Sequence, residues 1–252
     1  MAITVSHPTV ITASATRLPS IYLSETTSFS STRASFRCRF NFPSLIWRKK
    51  RVGITSALPG SSSTTVIPDD VVSTLEGVKV FDLTGKAIPI LDLWTDRRVV
   101  VAFARHFGCV FCRKRADLLA NKKDVMDDAN VTLIIIAPGN VNQAKIFFEN
   151  TNFKGEVYAD PSHASYDALN FVYGINSTFT PSSGLKIAQL YMEGYRQDWG
   201  LSFEKNTTTR GGWQQGGLLV AGPGKSNIIY LHKDKEAGDD PDVDEVMKVC
   251  CS

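Results

Sequence analysis

The sequence predicts an α/β fold built on one mixed sheet flanked by helices, and three stretches predict it. Val99 to Ala104 is a short, β-branched apolar run. It is followed by Cys109-x-x-Cys112 and then by Ala116, Leu119 and Ala120 at i, i+3 and i+4, so a buried strand turns directly into a helix. Val131 to Ala137 is a continuous apolar run stopped by Pro138-Gly139, the pattern of a central parallel strand covered on both faces. Leu218-Leu219-Val220 and Ile228 to Leu231 flank Gly222-Pro223-Gly224-Lys225-Ser226-Asn227, the turn chemistry of an antiparallel hairpin.

The remaining elements follow in order. Val78 to Leu83 alternates, Thr84-Gly85-Lys86 turns, and Ala87 to Leu91 resumes, which is a small hairpin. The helix after the cysteines is expected to run to about Met126. Asn142 to Asn150 reads as a helix with Ile146 and Phe147 inward, and Glu156 to Ala159 as a short strand. Asp160-Pro161 opens a helix expected to contain Tyr166, Leu169 and Phe171. Residues 174–213 lack clean periodicity and read as an insertion with helical turns near Leu185 to Tyr195; Val243 to Val249 forms a closing helix. The order β-β-β-α-β-α-β-α-β-β-α joins a parallel crossover half to an antiparallel hairpin half, a sheet of thioredoxin type with no internal repeat.

Charge divides the 252 residues unevenly. The first 60 hold eight Lys or Arg, one acid (Glu25) and eighteen Ser or Thr. The remainder has 20 basic and 24 acidic residues, so the formal +3 of the whole chain belongs to the leader. An acid-poor, Ser/Thr- and Arg-rich N-terminus has the composition of an organellar transit peptide, and the high hydroxyl content points to the chloroplast. Residues 1–57 are thus expected to be a chloroplast transit peptide and 58–70 a linker, with a thioredoxin-like domain at 71–252. The stroma is the expected location. No apolar run is long enough for a membrane span, and no aromatic-interleaved basic module suggests nucleic acid. Five cysteines, one of them Cys38 in the leader, do not form a disulfide framework for a chain of this size.

The chemistry concentrates at Cys109 and Cys112. A strand-to-helix turn exposes unpaired first-turn N–H groups and the positive end of the helix dipole, which favours thiolate over thiol. Arg105, His106, Arg113, Lys114 and Arg115 add expected positive charge. A reversible dithiol/disulfide is the reading; a tetrahedral zinc site needs four ligands, which only Cys250 and Cys251 or scattered histidines would complete, so no metal is expected. Arg105 and His106 are candidates to hold the thiolate or orient a peroxide oxygen, although an Arg at a strand end also suits pairing with surface acids. Gln214 to Gly217, and in particular Gln215, Gly216 and Gly217, are expected to pass close to the thiols, the glycines permitting backbone approach. Cys250 and Cys251 are either a terminal resolving pair or incidental. Gly224-Lys225-Ser226 lacks the earlier glycine and following helix of a phosphate loop. His163 and His232 read as structural, and Asp239 to Glu245 as a solvated acidic helix start.

Arg105-His106-Phe107-x-Cys109-x-x-Cys112, Tyr158-Ala159-Asp160-Pro161 and Gln214-Gln215-Gly216-Gly217-Leu218-Leu219-Val220-x-Gly222-Pro223-Gly224 together resemble the peroxiredoxin-like 2 family of AhpC/TSA-type proteins, across about residues 70–250. The resemblance implies a thioredoxin-like fold with a peroxiredoxin-like core. Aligned to the peroxiredoxin segment, Cys112 takes the peroxidatic position and Arg105 replaces its Pro; aligned to thioredoxins, Cys109 attacks and Cys112 resolves, which is the order favoured here. The thioredoxin cis-Pro is replaced by Gly216 or Gly217. The implied activity is a chloroplast thiol-disulfide oxidoreductase with antioxidant chemistry and no bound cofactor. Its partners would be a small-molecule peroxide or a partner-protein disulfide, and an external thiol reductant such as a plastid thioredoxin. Two alternatives stand beside it. One is a non-enzymatic redox sensor or scaffold switched by a Cys109–Cys112 disulfide. The other is an endoperoxide or lipid-peroxide reductase using the aromatic 171–203 segment as a pocket wall.

Overall fold

The computed structural model describes residues 70–252; the expected transit peptide and all of the expected linker but its last residue lie outside the described residues. The chain opens with α1 (Val71–Leu75), the hairpin β1 (Lys79–Phe81) and β2 (Ala87–Pro89), and a 3-10 turn at Ile90–Trp94. Strand β3 (Arg98–Phe103) leads into α2 (Val110–Ala120), α3 (Lys123–Asp128), β4 (Val131–Pro138), α4 (Val141–Asn150), β5 (Glu156–Asp160) and α5 (Ala164–Ala168). Four short helices follow, α6 (Ile175–Thr178), α7 (Pro181–Met192), α8 (Trp199–Ser202) and α9 (Lys205–Thr209), then a 3-10 turn at Gly211–Trp213. The hairpin β6 (Gly217–Ala221) and β7 (Ile228–Lys233) and helix α10 (Val243–Cys250) complete the described chain.

The strands form one seven-stranded sheet in the order β2-β1-β5-β4-β3-β6-β7. β3 pairs parallel with β4 and antiparallel with β6, and β4 pairs parallel with β5. The strand carrying the cysteines at its end is therefore central and is held from both sides. Because side chains alternate across a strand, Val100 and Ala102 join one core with Leu133, Ile135, Ala116, Leu119, Phe147 and Val246. Val99, Val101 and Phe103 join the other with Leu75, Trp94, Ile134, Ile136 and Tyr166. Two buried faces explain why β3 and β4 read as unbroken apolar runs rather than alternating ones.

Two helix ends differ from the sequence reading, each for a local reason. The helix after Cys112 stops at Ala120, and a turn at Asn121–Lys122 starts α3, which returns Met126 to full burial. α5 ends at Ala168 because Asn170 adopts a left-handed backbone (φ 51°). Phe171 N–H then donates to Tyr166 O at 3.0 Å and Asn170 N–H to Asp167 O at 3.1 Å, a Schellman closure that sends Phe171 back over Phe103, with ring centroids 5.2 Å apart. α4 starts as a polar cap demands: Asn140 Oδ1 accepts from Gln143 N–H and Gln143 Oε1 from Asn140 N–H, both at 2.9 Å.

Candidate active site

Cys109 is the cap residue of α2, with extended backbone (φ −70°, ψ 128°), and both Cys109 and Cys112 are buried free thiols. β3 ends at Phe103, and the next two residues reach over the helix start. Arg105 N–H donates to Cys112 Sγ at 3.1 Å, and Arg105 Nη1 lies 3.5 Å from Cys109 Sγ. The guanidinium is fixed by neutral acceptors: Gln214 O at 3.1 Å, Gly212 O at 2.8 Å and Thr178 Oγ1 at 3.3 Å. Arg105 is thus buried and turned onto sulfur. No acid pairs with it among the ion pairs of the described residues.

These contacts separate the two sulfurs electrostatically. A hydrogen bond from the Cys112 thiol, with the Arg105 charge behind it, holds Cys109 well below the ordinary thiol range despite burial. Burial and its role as donor to Cys109 push Cys112 well above that range. The wider cationic cluster expected from sequence is mostly spent elsewhere. Burial pushes His106 down to about 4, so at neutral pH it adds no charge, and its Nδ1 has no partner. Arg113 pairs with Asp198 at 2.7 Å, and Arg115 with Asp234 at 2.9 Å and Asp240 at 2.6 Å.

A cavity of about 290 Å³ opens at Cys109. Cys109, Arg105 and His106 line it; Cys112 does not. Its walls come from α6 to α9 and the turn that follows, notably Phe179, Ile187, Tyr191, Trp199, Phe203 and Trp213. Trp199 stacks on Phe203 with centroids 5.6 Å apart, and Phe179 meets Trp213 edge-on at 5.9 Å. Phe179, Trp199 and Phe203 remain 67%, 58% and 71% exposed, which makes the rim apolar as well as the wall.

The docking of α8 depends on Gly108. A Cβ there would lie 2.5 Å from Ser202 Oγ and 2.7 Å from Asp198 O, and Gly108 O accepts from Asp198 N–H at 2.9 Å. Nearby, Gln197 Oε1 accepts the Val110 N–H at 2.9 Å, satisfying one of the free donors at the start of α2.

Of the other residues singled out from sequence, Gln215 is fully buried and donates through Nε2 to Thr178 Oγ1 at 2.9 Å, which places it behind Arg105, out of the cavity lining. Gly216 and Gly217 do not line the cavity either. They are close-packed sheet backbone: a Cβ on Gly216 would lie 1.9 Å from Phe103 O, and Gly217 is in register with Phe103. Gly216 lets the chain entering β6 pass over Phe103 of β3, and Gly217 makes room for His232 O of β7 and the Phe171 ring, 2.3 Å and 2.7 Å from where a Cβ would lie. Cys250 and Cys251 lie near Arg98, at the opposite end of β3 from the Cys109 turn, and are not placed to resolve Cys109. Asp240 is a partner of Arg115 rather than part of a solvated face. Thr178, Gln197, Asp198 and Asp234 were not legible as site residues, since each stands far along the chain from the cysteines in a segment without motif. Among the described residues no group of three or more His, Cys, Asp or Glu is placed to hold a metal ion, and no helix is long and apolar enough to cross a membrane.

A central strand that delivers two inequivalent thiols to a helix start, in a mixed sheet closed by an antiparallel hairpin, defines a thioredoxin-like protein with a peroxiredoxin-like core. Comparison with known sequences narrows this. The AhpC/TSA antioxidant enzyme family matches residues 118–236, beginning downstream of the cysteines. Thioredoxin-like protein AAED1, chloroplastic, from Arabidopsis thaliana is 59% identical over 217 residues, covering 86% of this chain and 87% of that protein. Human peroxiredoxin-like 2C is 30% identical over 175 residues (68% and 76%), and bovine prostamide/prostaglandin F synthase 28% identical over 172 residues (66% and 80%). The chain belongs to the peroxiredoxin-like 2 family of AhpC/TSA-type, thioredoxin-like proteins.

Proposed function

We propose that this protein is a chloroplast thiol-disulfide oxidoreductase that reduces peroxides through Cys109, with Cys112 as the resolving thiol. One observation carries the order of events: Cys109 is both the acidified sulfur and the one that meets the cavity, whereas Cys112 stands behind it as a proton-bearing thiol. The Cys109 thiolate attacks the terminal oxygen of a hydroperoxide, the O–O bond breaks, and the departing alkoxide takes a proton to leave as an alcohol; on an endoperoxide the same attack gives a sulfenate ester, from which Cys112 displaces the alcohol. The hydroperoxide leaves Cys109 as a sulfenic acid. Cys112 attacks its sulfur, water leaves with the Cys112 proton, and a Cys109–Cys112 disulfide closes. An external dithiol such as a plastid thioredoxin returns both sulfurs to thiols and is itself oxidised. Arg105 holds the thiolate and offers its remaining Nη1 N–H to the polarised oxygen. The stroma is the proposed compartment, on the leader's composition and the chloroplastic description of the Arabidopsis relative.

The cavity favours one of the alternatives as a refinement. Its aromatic wall suits a peroxide on an apolar body, such as a lipid peroxide or endoperoxide, better than hydrogen peroxide or a folded protein disulfide. The test is steady-state turnover of an organic hydroperoxide and of hydrogen peroxide by the purified protein with a thioredoxin system. Catalytic turnover that Cys109→Ser abolishes supports the proposal. A single stoichiometric oxidation, with no turnover on either peroxide, replaces it with the redox-sensor reading.

A further inference from the structure

A second pair of thiols lies at the far end of β3. Cys250 is fully buried on the last turn of α10, Cys251 is half-buried beside it, and their sulfurs are 3.2 Å apart. One side chain hydrogen-bonds the backbone at this end of the helix to the sheet, beside the apolar packing of Val246 and Cys250. Arg98 Nη1 donates to Cys250 O at 3.2 Å and to Ser252 O at 2.7 Å, while Cys251 N–H donates to Met247 O at 3.0 Å. Arg98 opens the strand whose other end leads to Cys109. Six strand residues, about 20 Å, separate the two ends, too far for direct exchange between the dithiols.

We propose that Cys250 and Cys251 form a second, independent oxidation site, which a hydroperoxide closes to a vicinal disulfide and a thiol reductant reopens. Access selects Cys251 as the sulfur that attacks the terminal oxygen of the hydroperoxide. Its S–H is converted to S–OH while the peroxide O–O bond breaks and an alcohol leaves. Cys250 sulfur then attacks Cys251 sulfur, and the sulfenic hydroxyl departs as water with the Cys250 proton. Burial and the neighbouring sulfur push Cys250 up to about 12, so it carries that proton until the second step. Closing the bond needs the sulfurs to approach by about 1.2 Å to the covalent 2.03–2.05 Å. Adjacent Cα atoms stand about 3.8 Å apart, shorter than ordinary disulfides span, so the ring is strained and readily reduced. The strain falls on the Cys250–Cys251 peptide, whose N–H donates to Met247 O and whose carbonyl, together with Ser252 O, accepts from Arg98. Ring closure therefore releases the end of α10 from β3.

The site is separable from the proposed activity because it uses neither Cys109 nor Cys112. The full chain, as wild type and as Cys109→Ser/Cys112→Ser, is oxidised with tert-butyl hydroperoxide, cut by a Glu-specific protease and mapped by mass spectrometry. In both proteins the Val246–Ser252 peptide is expected to lose two hydrogens, to resist alkylation, and to recover both alkylation sites after dithiothreitol. Amide exchange at the last turn of α10 is expected to rise about tenfold on oxidation. The proposal is overturned if the peptide keeps two free thiols, if Cys251 proceeds to sulfinic acid beside an unmodified Cys250, or if the only bridge formed joins two chains. Unchanged exchange around a mapped bridge would overturn the release of α10.

Discussion

Arg105 Nη1 stands 3.5 Å from Cys109 Sγ, with its other donors committed to neutral oxygens. A charge held this way cannot be absorbed by a carboxylate, so its influence goes to the sulfur. Replacing it with glutamine keeps hydrogen-bonding capacity and removes the charge. Arg105→Gln is expected to move the pH midpoint of Cys109 alkylation by iodoacetamide up by about one unit or more, roughly 1.4 kcal/mol of lost thiolate stabilisation. Peroxide-driven oxidation at pH 7 should slow about tenfold or more. An unshifted midpoint would show that Arg105 only supports the loops around it.

Cys112 is the first cause of the low Cys109 value, ahead of Arg105. Cys112→Ala removes that donor and should raise the alkylation midpoint of Cys109, whereas Cys112→Ser, which retains an O–H, should raise it less. Both variants should accumulate a sulfenic acid at Cys109, trapped by dimedone, where wild type yields a bridge. Dimedone adduct on Cys112 in Cys109→Ser, formed as fast as the Cys109 adduct in Cys112→Ser, would reverse the assigned roles.

His106 links pH to stability. Its folded value of about 4 lies below the roughly 6.5 of an unfolded histidine, so between these pH values the unfolded chain binds more protons. Stability should therefore rise with pH across this window and be lost as pH falls through it, by roughly 3 kcal/mol in total from this residue. Asp234 slopes the other way, because burial pushes it up to about 6 even with Arg115 beside it. The measurable quantity is the difference in urea-unfolding free energy between wild type and His106→Phe at pH 4.5 and 7. A difference that does not change with pH would place the orphaned imidazole in a wetter setting than its burial indicates.

Gly108→Ala tests the cavity wall without touching sulfur. A methyl group 2.5 Å from Ser202 Oγ and 2.7 Å from Asp198 O forces α8 outward, at a cost of about 1–3 kcal/mol in stability. KM for an organic hydroperoxide should rise several-fold more than KM for hydrogen peroxide, and the Cys109 alkylation midpoint should stay in place. Equal changes for both peroxides would argue against the aromatic wall as a specificity element. Trp199→Ala/Phe203→Ala should reproduce the same selectivity loss.

Local chemistry carried much of this protein in its sequence. The β-branched run before Cys109, the apolar run at 131–137 and the Gly/Pro turn at 222–227 each specify an element through nearby residues, and those elements assemble into the expected mixed sheet. The inequivalence of Cys109 and Cys112 was beyond such reading. Thr178, Gln197 and Gln214 reach the site from positions 66 to 105 residues away from the cysteines, and a segment without periodicity announces neither its cavity nor its partners. The same holds for charge. Five cations near one motif look alike in sequence, but burial neutralises His106, Asp198 and Asp234 claim Arg113 and Arg115, and Lys114 lines a separate groove with Lys186 and Gln189, which leaves Arg105 turned to sulfur. Secondary structure follows from short-range sterics and hydrogen bonding, whereas a thiol's proton affinity follows from which distant groups the folded chain brings within a few ångströms of it.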